Sequence, residues 1–322
     1  MNIISKWRNQ TTIIEFILLG FGDLPALQIL LFQLLLVIYI VTLAGNILII
    51  VLVVVDQHLH TPMYFFLGNL SCLETCYTST ILPRMLASLL TGDRTISVSG
   101  CLVQLYFFGS LVGTECYLLA AMSYDRYLAI CKPLHYSTHM NDRFCLHLAA
   151  GSWLSAFLVV TIIIFLILTF CGPNEIDHFF CDFTPLLRLA CSDTYLFEKV
   201  SFFLSSTLTL VPFLLTVVSY IYILSAILNR PSTAGSQKAI STCSSHLIVV
   251  TTFYGTLIAM YVVPAADHSL NLNKVFSIFY TMMTPMANPL IYSLRNREVR
   301  KALKRLVGRK FASCWKEKNG KM

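Results

Sequence analysis

An acid and a base stand side by side in Asp125-Arg126, at the end of an apolar run and directly before Tyr127. An adjacent acid and base at a helix end argue for a helix bundle that moves. A second stretch, Pro285-Met286-Ala287-Asn288-Pro289-Leu290-Ile291-Tyr292, places two prolines and an asparagine inside an apolar segment. Proline removes a helix hydrogen bond and kinks the helix, and a buried asparagine needs partners. Membrane helices keep such residues where neighbours satisfy the freed groups and the kink is useful. Glu74 and Glu115 also interrupt apolar runs. Intramembrane acids are expensive and face an interior polar site, and two of them repel unless one is neutral or an ion lies between. The eight histidines support no metal centre or protease. There is no His-Glu-x-x-His, and His58/His60, His135/His139 and His178 belong to different loops. His246 reads as a satisfied helix histidine. No Ser/His/Asp arrangement stands out, so the chain is not read as an enzyme.

The elements that must hold these residues are membrane helices. Of 322 residues, 56% are hydrophobic and 12% charged, about half the charged share of a soluble domain. Seven apolar runs, 27–55, 62–88, 99–127, 144–168, 199–228, 239–264 and 272–293, are each long enough to cross the roughly 30 Å hydrocarbon layer. The fold class is therefore an all-α membrane protein, a seven-transmembrane helix bundle. Residues 1–26 form an N-terminal tail, 27–293 the bundle, and 294–322 a cytoplasmic segment. In that segment Val299, Ala302, Leu303, Leu306 and Val307 recur at helical spacing among Arg300, Lys301, Lys304 and Arg305. This predicts a short amphipathic helix lying on the inner membrane face.

Lys and Arg divide seven on the N-terminal side against sixteen on the other, eleven of them between Arg295 and Lys321. The positive-inside rule then places the C-terminus in the cytoplasm and the N-terminus outside. The net charge of +7 is read as a tail meeting anionic lipid, with no nucleic-acid partner. No cleavable signal pattern precedes the first span. Asn9 begins an Asn-Gln-Thr glycosylation acceptor on the outer tail. Cys101, Cys171, Cys181 and Cys191 fall on the outer, oxidising side, where disulfides are expected. Four cysteines allow three pairings. Cys314, in the tail, is a free thiol or an acylation site.

The order of motifs resembles the class A G-protein-coupled receptors, and within them the class II (tetrapod-type) odorant receptors. The resemblance rests on Gly45-Asn46, Pro62-Met63-Tyr64-Phe65-Phe66-Leu67, Met122 to Tyr127, His178-Phe179-Phe180-Cys181-Asp182, Ser219-Tyr220, Lys238 to His246 and Pro285 to Asn296. It covers roughly residues 10 to 310. Glu74 stands where the family usually has aspartate, Ser123 for alanine, Gly68 for serine and Ile240 for phenylalanine.

The resemblance implies roles for these residues. Cys101 with Cys181, and Cys171 with Cys191, would be the disulfides. Asp125, Arg126, Tyr127, Tyr220, Asn288, Pro289 and Tyr292 would form the switch that couples to the G protein. An isolated ion pair there would read as an interfacial anchor; Tyr127, with Tyr220 and Tyr292 expected at the same depth, favours the switch. Asn46, Glu74, Glu115 and Asn288 resemble the family's sodium and water site; a protonated hydrogen-bond network is the alternative. No other cofactor is implied. The ligand pocket would draw on Leu105, Phe108, Gly109, Val112 and Gly113 in span three, and on Ser205 and Ser206 in span five. Span six would add Tyr254, Leu257, Ile258 and Tyr261, and span seven Ile278 and Thr281. The bland reading of each is interhelix packing, with Gly109 and Gly113 permitting close approach.

None of the pocket set is charged, which suits a small, neutral, mostly apolar volatile ligand. The implied partner is a heterotrimeric stimulatory G protein of the olfactory type, which raises cyclic AMP. The implied location is the plasma membrane of sensory neurons. A chemosensor of the same class in a non-olfactory tissue is the alternative, separable by transcript location. A transporter would require coupled polar sites and internal repeats, which the spans do not show.

Overall fold

A computed structural model describes residues 13–20, 25–166, 170, 174–187, 189, 195–229, 234–261, 270–296 and 298–308. Asn9, Cys171, Cys191 and Cys314 lie outside these residues, as do the side chains of Tyr261 and Tyr292. The long helices are α1 (Pro25–Val55), α2 (Pro62–Thr91), α3 (Val98–Cys131), α5 (Asp142–Leu166), α7 (Tyr195–Leu228) and α8 (Ala234–Tyr261). Short helices α4 (Tyr136–His139) and α6 (Phe183–Leu187) lie in loops. The seventh span divides into α9 (Leu270–Ile278), a π turn (Phe279–Met283) and α10 (Thr284–Arg295). A final helix, α11, covers 298–308.

Among the described residues, four helices are long and apolar enough by themselves to cross a membrane: Leu27–Val55, Val98–Cys131, Asp142–Phe165 and Lys199–Leu228. α2 and the seventh span carry polar residues that the bundle buries, which lowers their hydropathy without changing their place in it. α3 is the axis. Its apolar stretch is 72% buried, against 22% for α1, and it packs on α2, α5, α7 and α8. The outward faces of α1, α5 and α7 carry exposed Leu30, Leu154 and Phe202, as lipid-facing surfaces do. Lipid offers helices no hydrophobic drive to associate, so close packing and interhelical hydrogen bonds must hold them.

Two glycines show that packing. A Cβ on Gly45 would meet Pro289 Cβ and Cγ at 3.1 Å, so glycine is what lets α10 lie against α1 at its proline. A Cβ on Gly113 would come within 2.5 Å of Leu208 Cδ2 and 3.1 Å of Ala156 Cβ. That contact joins α3 to α7 and α5, which favours the packing reading of Gly113. A Cβ on Gly109 would meet Val160 at an ordinary 3.6 Å.

Proline also accounts for the break in the seventh span. Pro285 has no N–H for the carbonyl four residues back, and the ladder before it slips to the wider π spacing, Thr284 N–H donating to Phe279 O. The Thr284 hydroxyl reaches the same carbonyl at 3.2 Å.

A small sheet, absent from the sequence reading, caps the disulfide end. Strand β1 (Glu15–Leu18) lies between β2 (Thr95–Ser97) and β3 (Glu175–Ile176). It runs antiparallel to β2, with Phe16 opposite Ile96, and parallel to β3, with Ile17 opposite Glu175. At the opposite end α11 turns its apolar face into the protein. Val299 and Ala302 are buried against Leu52 and Leu59, while Val307 is exposed. The predicted amphipathic helix is thus held partly by protein rather than by lipid alone.

Candidate functional site

At the end of α3 the Arg126 Nη2 lies 2.9 Å from Asp125 Oδ2. Asp125 is fully buried, and its Oδ1 accepts the Tyr136 hydroxyl of α4 at 2.7 Å. Sequence reasoning missed Tyr136, which lies in a loop with no span-level signal. Arg126 Nε is buried without a hydrogen-bond partner among the described residues. A buried carboxylate such as Asp125 is costly to keep charged without partners such as Arg126 and Tyr136.

Tyr220 does come to this end. Its hydroxyl meets His246 Nδ1 at 2.5 Å, joining α7 to α8. Tyr220, Ile223 and Cys243 form a buried cluster against which Tyr127 packs, and the Tyr127 ring lies 5.7 Å from that of Tyr222. His246 is only half satisfied, since its Nε2 is buried with no partner among the described residues.

Halfway along the bundle lies the polar core. Asn288 Nδ2 donates to Glu74 Oε1. Asn46 Nδ2 donates to Thr42 O at 3.1 Å and to Pro285 O at 3.3 Å. The Pro285 carbonyl on α10 is thereby tied to α1. Glu74 Oε2, Glu115 Oε1 and Asn46 Oδ1 are buried with no partner among the described residues. Orphan oxygens of this kind suit a hard cation or ordered waters, which take oxygen ligands. The described residues hold no group of three or more His, Cys, Asp or Glu for a transition metal.

The disulfide end is tied down several times. Cys101 and Cys181 are joined, with Cα atoms 5.5 Å apart. Gln104, one turn after Cys101, accepts the Cys181 N–H at 2.9 Å and donates to Thr80 O at 3.0 Å. The only sequence signal for Gln104 was a polar residue one turn past a bridging cysteine. His178 Nε2 lies 3.1 Å from Ser277 Oγ, and Lys274 Nζ lies 2.5 Å from Asp177 Oδ1. Burial, helped by the Lys274 charge, holds the His178 imidazole neutral and brings its pKa down from 6.5 to about 4.

Below this cap lies an aromatic layer. Phe108 contacts Phe180 at 4.8 Å, Tyr77 at 5.4 Å and Tyr280 at 6.0 Å between ring centroids. Phe180, Tyr77 and Tyr280 were not in the sequence-derived pocket set. Among the set, Leu105, Tyr254, Leu257 and Thr281 are buried, and Gly109, Val112, Ser206, Ile258 and Ile278 are half-buried. Ser205 stays exposed. Leu105 packs with the disulfide cluster rather than with Phe108. The Tyr254 hydroxyl donates to Cys116 O at 3.0 Å, one residue after Glu115, and its ring lies 5.1 Å from Phe213.

The described residues thus form a helical bundle with a bridged loop over one end, a buried acid–amide core and an Asp-Arg pair at the other end. A family profile described as olfactory receptor matches residues 35–310. Olfactory receptor 6N1 of Homo sapiens is 50% identical over 303 residues, 94% of this chain and 97% of that protein. Olfactory receptor 6B1 of Homo sapiens is 51% identical over 301 residues, covering 93% and 96%. Olfactory receptor 5P68 of Mus musculus is 48% identical over 307 residues, covering 95% and 98%. The chain belongs to the olfactory receptor family, a family of multi-pass membrane receptors and not of enzymes.

Proposed function

We propose that this chain binds a small, neutral, mostly apolar volatile molecule in the disulfide-end half of the bundle. It then activates a heterotrimeric stimulatory G protein of the olfactory type at the Arg126 end, raising cyclic AMP. The N-terminus with the disulfide cap faces outward and the C-terminus with α11 faces the cytoplasm.

One observation carries this reading: among the described residues, α3 alone bears all three layers. Phe108 touches the capped aromatic layer, Glu115 lies in the polar core, and Asp125-Arg126 closes the far end. Eighteen helical residues separate Phe108 from Arg126, about 27 Å at 1.5 Å per residue. A ligand that favours one arrangement of the aromatic layer biases the rest only as far as its affinities for the two arrangements differ. The π turn and Pro285 supply a place where the seventh span can bend. Asn46 ties that break to α1, so a shift there is felt in the polar core. At the far end Arg126, freed from Asp125, can face a partner protein. The orphan oxygens of Glu74, Glu115 and Asn46 would hold a sodium ion in the resting arrangement; a protonated hydrogen-bond network is the alternative.

Arg126→Ala tests the reading. Ligand-evoked cyclic AMP in a reporter cell should vanish while surface staining persists. A full response from that variant would overturn the switch.

A further inference from the structure

A cavity of about 580 Å³ opens at the disulfide end between β1, the first turns of α1, the last turns of α2 and the turn 92–95. Among the described residues, none of the pocket set from Leu105 to Thr281 lines it, and Phe179 of the bridged loop is where its wall meets the aromatic layer. Its size lies within the range of small-molecule sites, about 300–1,000 Å³.

The wall has two chemistries. Ile17, Leu31, Met85 and Leu89 supply apolar surface, and Arg84 and Arg94 stand against the single carboxylate Asp93. Arg84 is under-committed. Its Nη2 donates to Thr95 O and lies 3.7 Å from Asp93 Oδ2. Both contacts use that one nitrogen, so among the described residues Nε and Nη1 remain for an acceptor. Asp93 is turned to its own loop. Its Oδ1 accepts the Thr95 N–H at 2.9 Å and the Thr95 hydroxyl at 2.8 Å, bonds that hold its carboxyl below the usual range. A 3.7 Å pair with a half-exposed carboxylate is weak, whereas a guanidinium fork binds a two-oxygen anion well. The cavity also adjoins an exposed apolar helix face. Gln28 and Leu31 line it, while Leu27, Leu30 and Leu34 on the same helix are exposed.

We propose that this cavity is a second binding site, for an anionic amphiphile whose carboxylate or phosphate head sits on Arg84 and whose acyl chain lies against Leu31, Met85 and Leu89. The ligand could come from bulk solution as a free fatty acid or from the bilayer as an anionic lipid.

The test uses the full-length receptor in nanodiscs of zwitterionic lipid with radiolabelled dodecanoate. Saturable binding is expected, weakened roughly tenfold or more in Arg84→Gln, a loss of at least 1.4 kcal/mol. Ser88→Trp, which fills the cavity and keeps the guanidinium, should weaken it as much, and dodecanol should compete poorly. Val112→Trp, in the interhelical pocket, should leave it unchanged. Adding phosphatidylglycerol to the nanodisc separates the sources. Competition assigns the site to bilayer lipid and its absence to free fatty acid, and both support an anionic amphiphile. Equal binding by Arg84→Gln, equal competition by dodecanol, or loss in Val112→Trp alone would overturn the proposal. Each variant is first shown to be monodisperse, and Ser88→Trp decides the matter if Arg84→Gln does not fold.

Discussion

Arg126 and Gln104 do opposite jobs with the same kind of polar atom. Arg126 Nε is buried with no hydrogen-bond partner among the described residues, so its one tie among them is the ion pair with Asp125. Gln104 uses both ends of its amide, one on Cys181 and one on Thr80, so it clamps. Gln104→Leu strands a buried amide N–H and a carbonyl, a cost of about 1–3 kcal/mol. The melting temperature of the purified receptor should fall even though the disulfide persists. His178 supplies a pH signature at the same end. Between pH 6.5 and about 4 the unfolded chain takes up a proton that the buried imidazole refuses. Its penalty is absent above pH 6.5 and grows as the pH falls towards 4. Wild type should lose more thermal stability across that window than His178→Asn, and parallel slopes would contradict the assignment. The adjacent Asp125-Arg126 was legible in sequence; the Tyr136 hydroxyl that holds Asp125 was not, because nothing local in a loop says which helix end it will meet.

At the scale of elements, glycine position decides how closely helices approach. Gly109 and Gly113 look alike in sequence, one turn apart on α3. Only Gly113 has neighbours that a methyl would strike. Gly109→Ala should leave stability unchanged or raise it by up to about 1 kcal/mol through helix propensity, whereas Gly113→Ala should cost roughly 1–3 kcal/mol through overpacking against Leu208 and Ala156. Thermal melts of the two variants side by side would show the difference, and equal melts would refute it. The seven apolar runs were readable because hydropathy accumulates over about twenty neighbouring residues. The π turn was less so. Pro285 announces a lost hydrogen bond, but whether the helix kinks, slips or bulges depends on what its neighbours offer the freed carbonyls.

Across the whole molecule, each end is closed by an element from the far end of the chain. β1 docks the N-terminal segment between β2 and β3. At the Arg126 end, Arg305 Nε on α11 lies 2.8 Å from Asp56 Oδ2, and the ring and backbone N–H of His58 meet Asp56 Oδ1 at 3.0 and 3.1 Å. Burial works against the charge on Asp56, but the hydrogen bonds from Arg305 and His58 outweigh it and bring its pKa from 3.8 to about 2. The clasp is therefore complete above pH 3.8 and is lost as the pH falls through about 2. At neutral pH, Arg305→Gln should release α11 from the loop, read as faster hydrogen exchange across 298–308 with the bundle unaffected. Unchanged exchange there would show that Val299 and Ala302 hold the helix alone.

The amino-acid sequence by itself determined the helical membrane class, the positions of the spans, the buried acids and the break in the seventh span. Each follows from local composition or from the covalent limits of proline. Tertiary structure decided which of these groups meet: Gln104 with Cys181, Asp56 with Arg305, Tyr220 with His246, Gly113 with Leu208. Those pairings depend on the rotation, tilt and depth of one helix against another. Packing among all the helices sets these at once, and no short window of residues contains them.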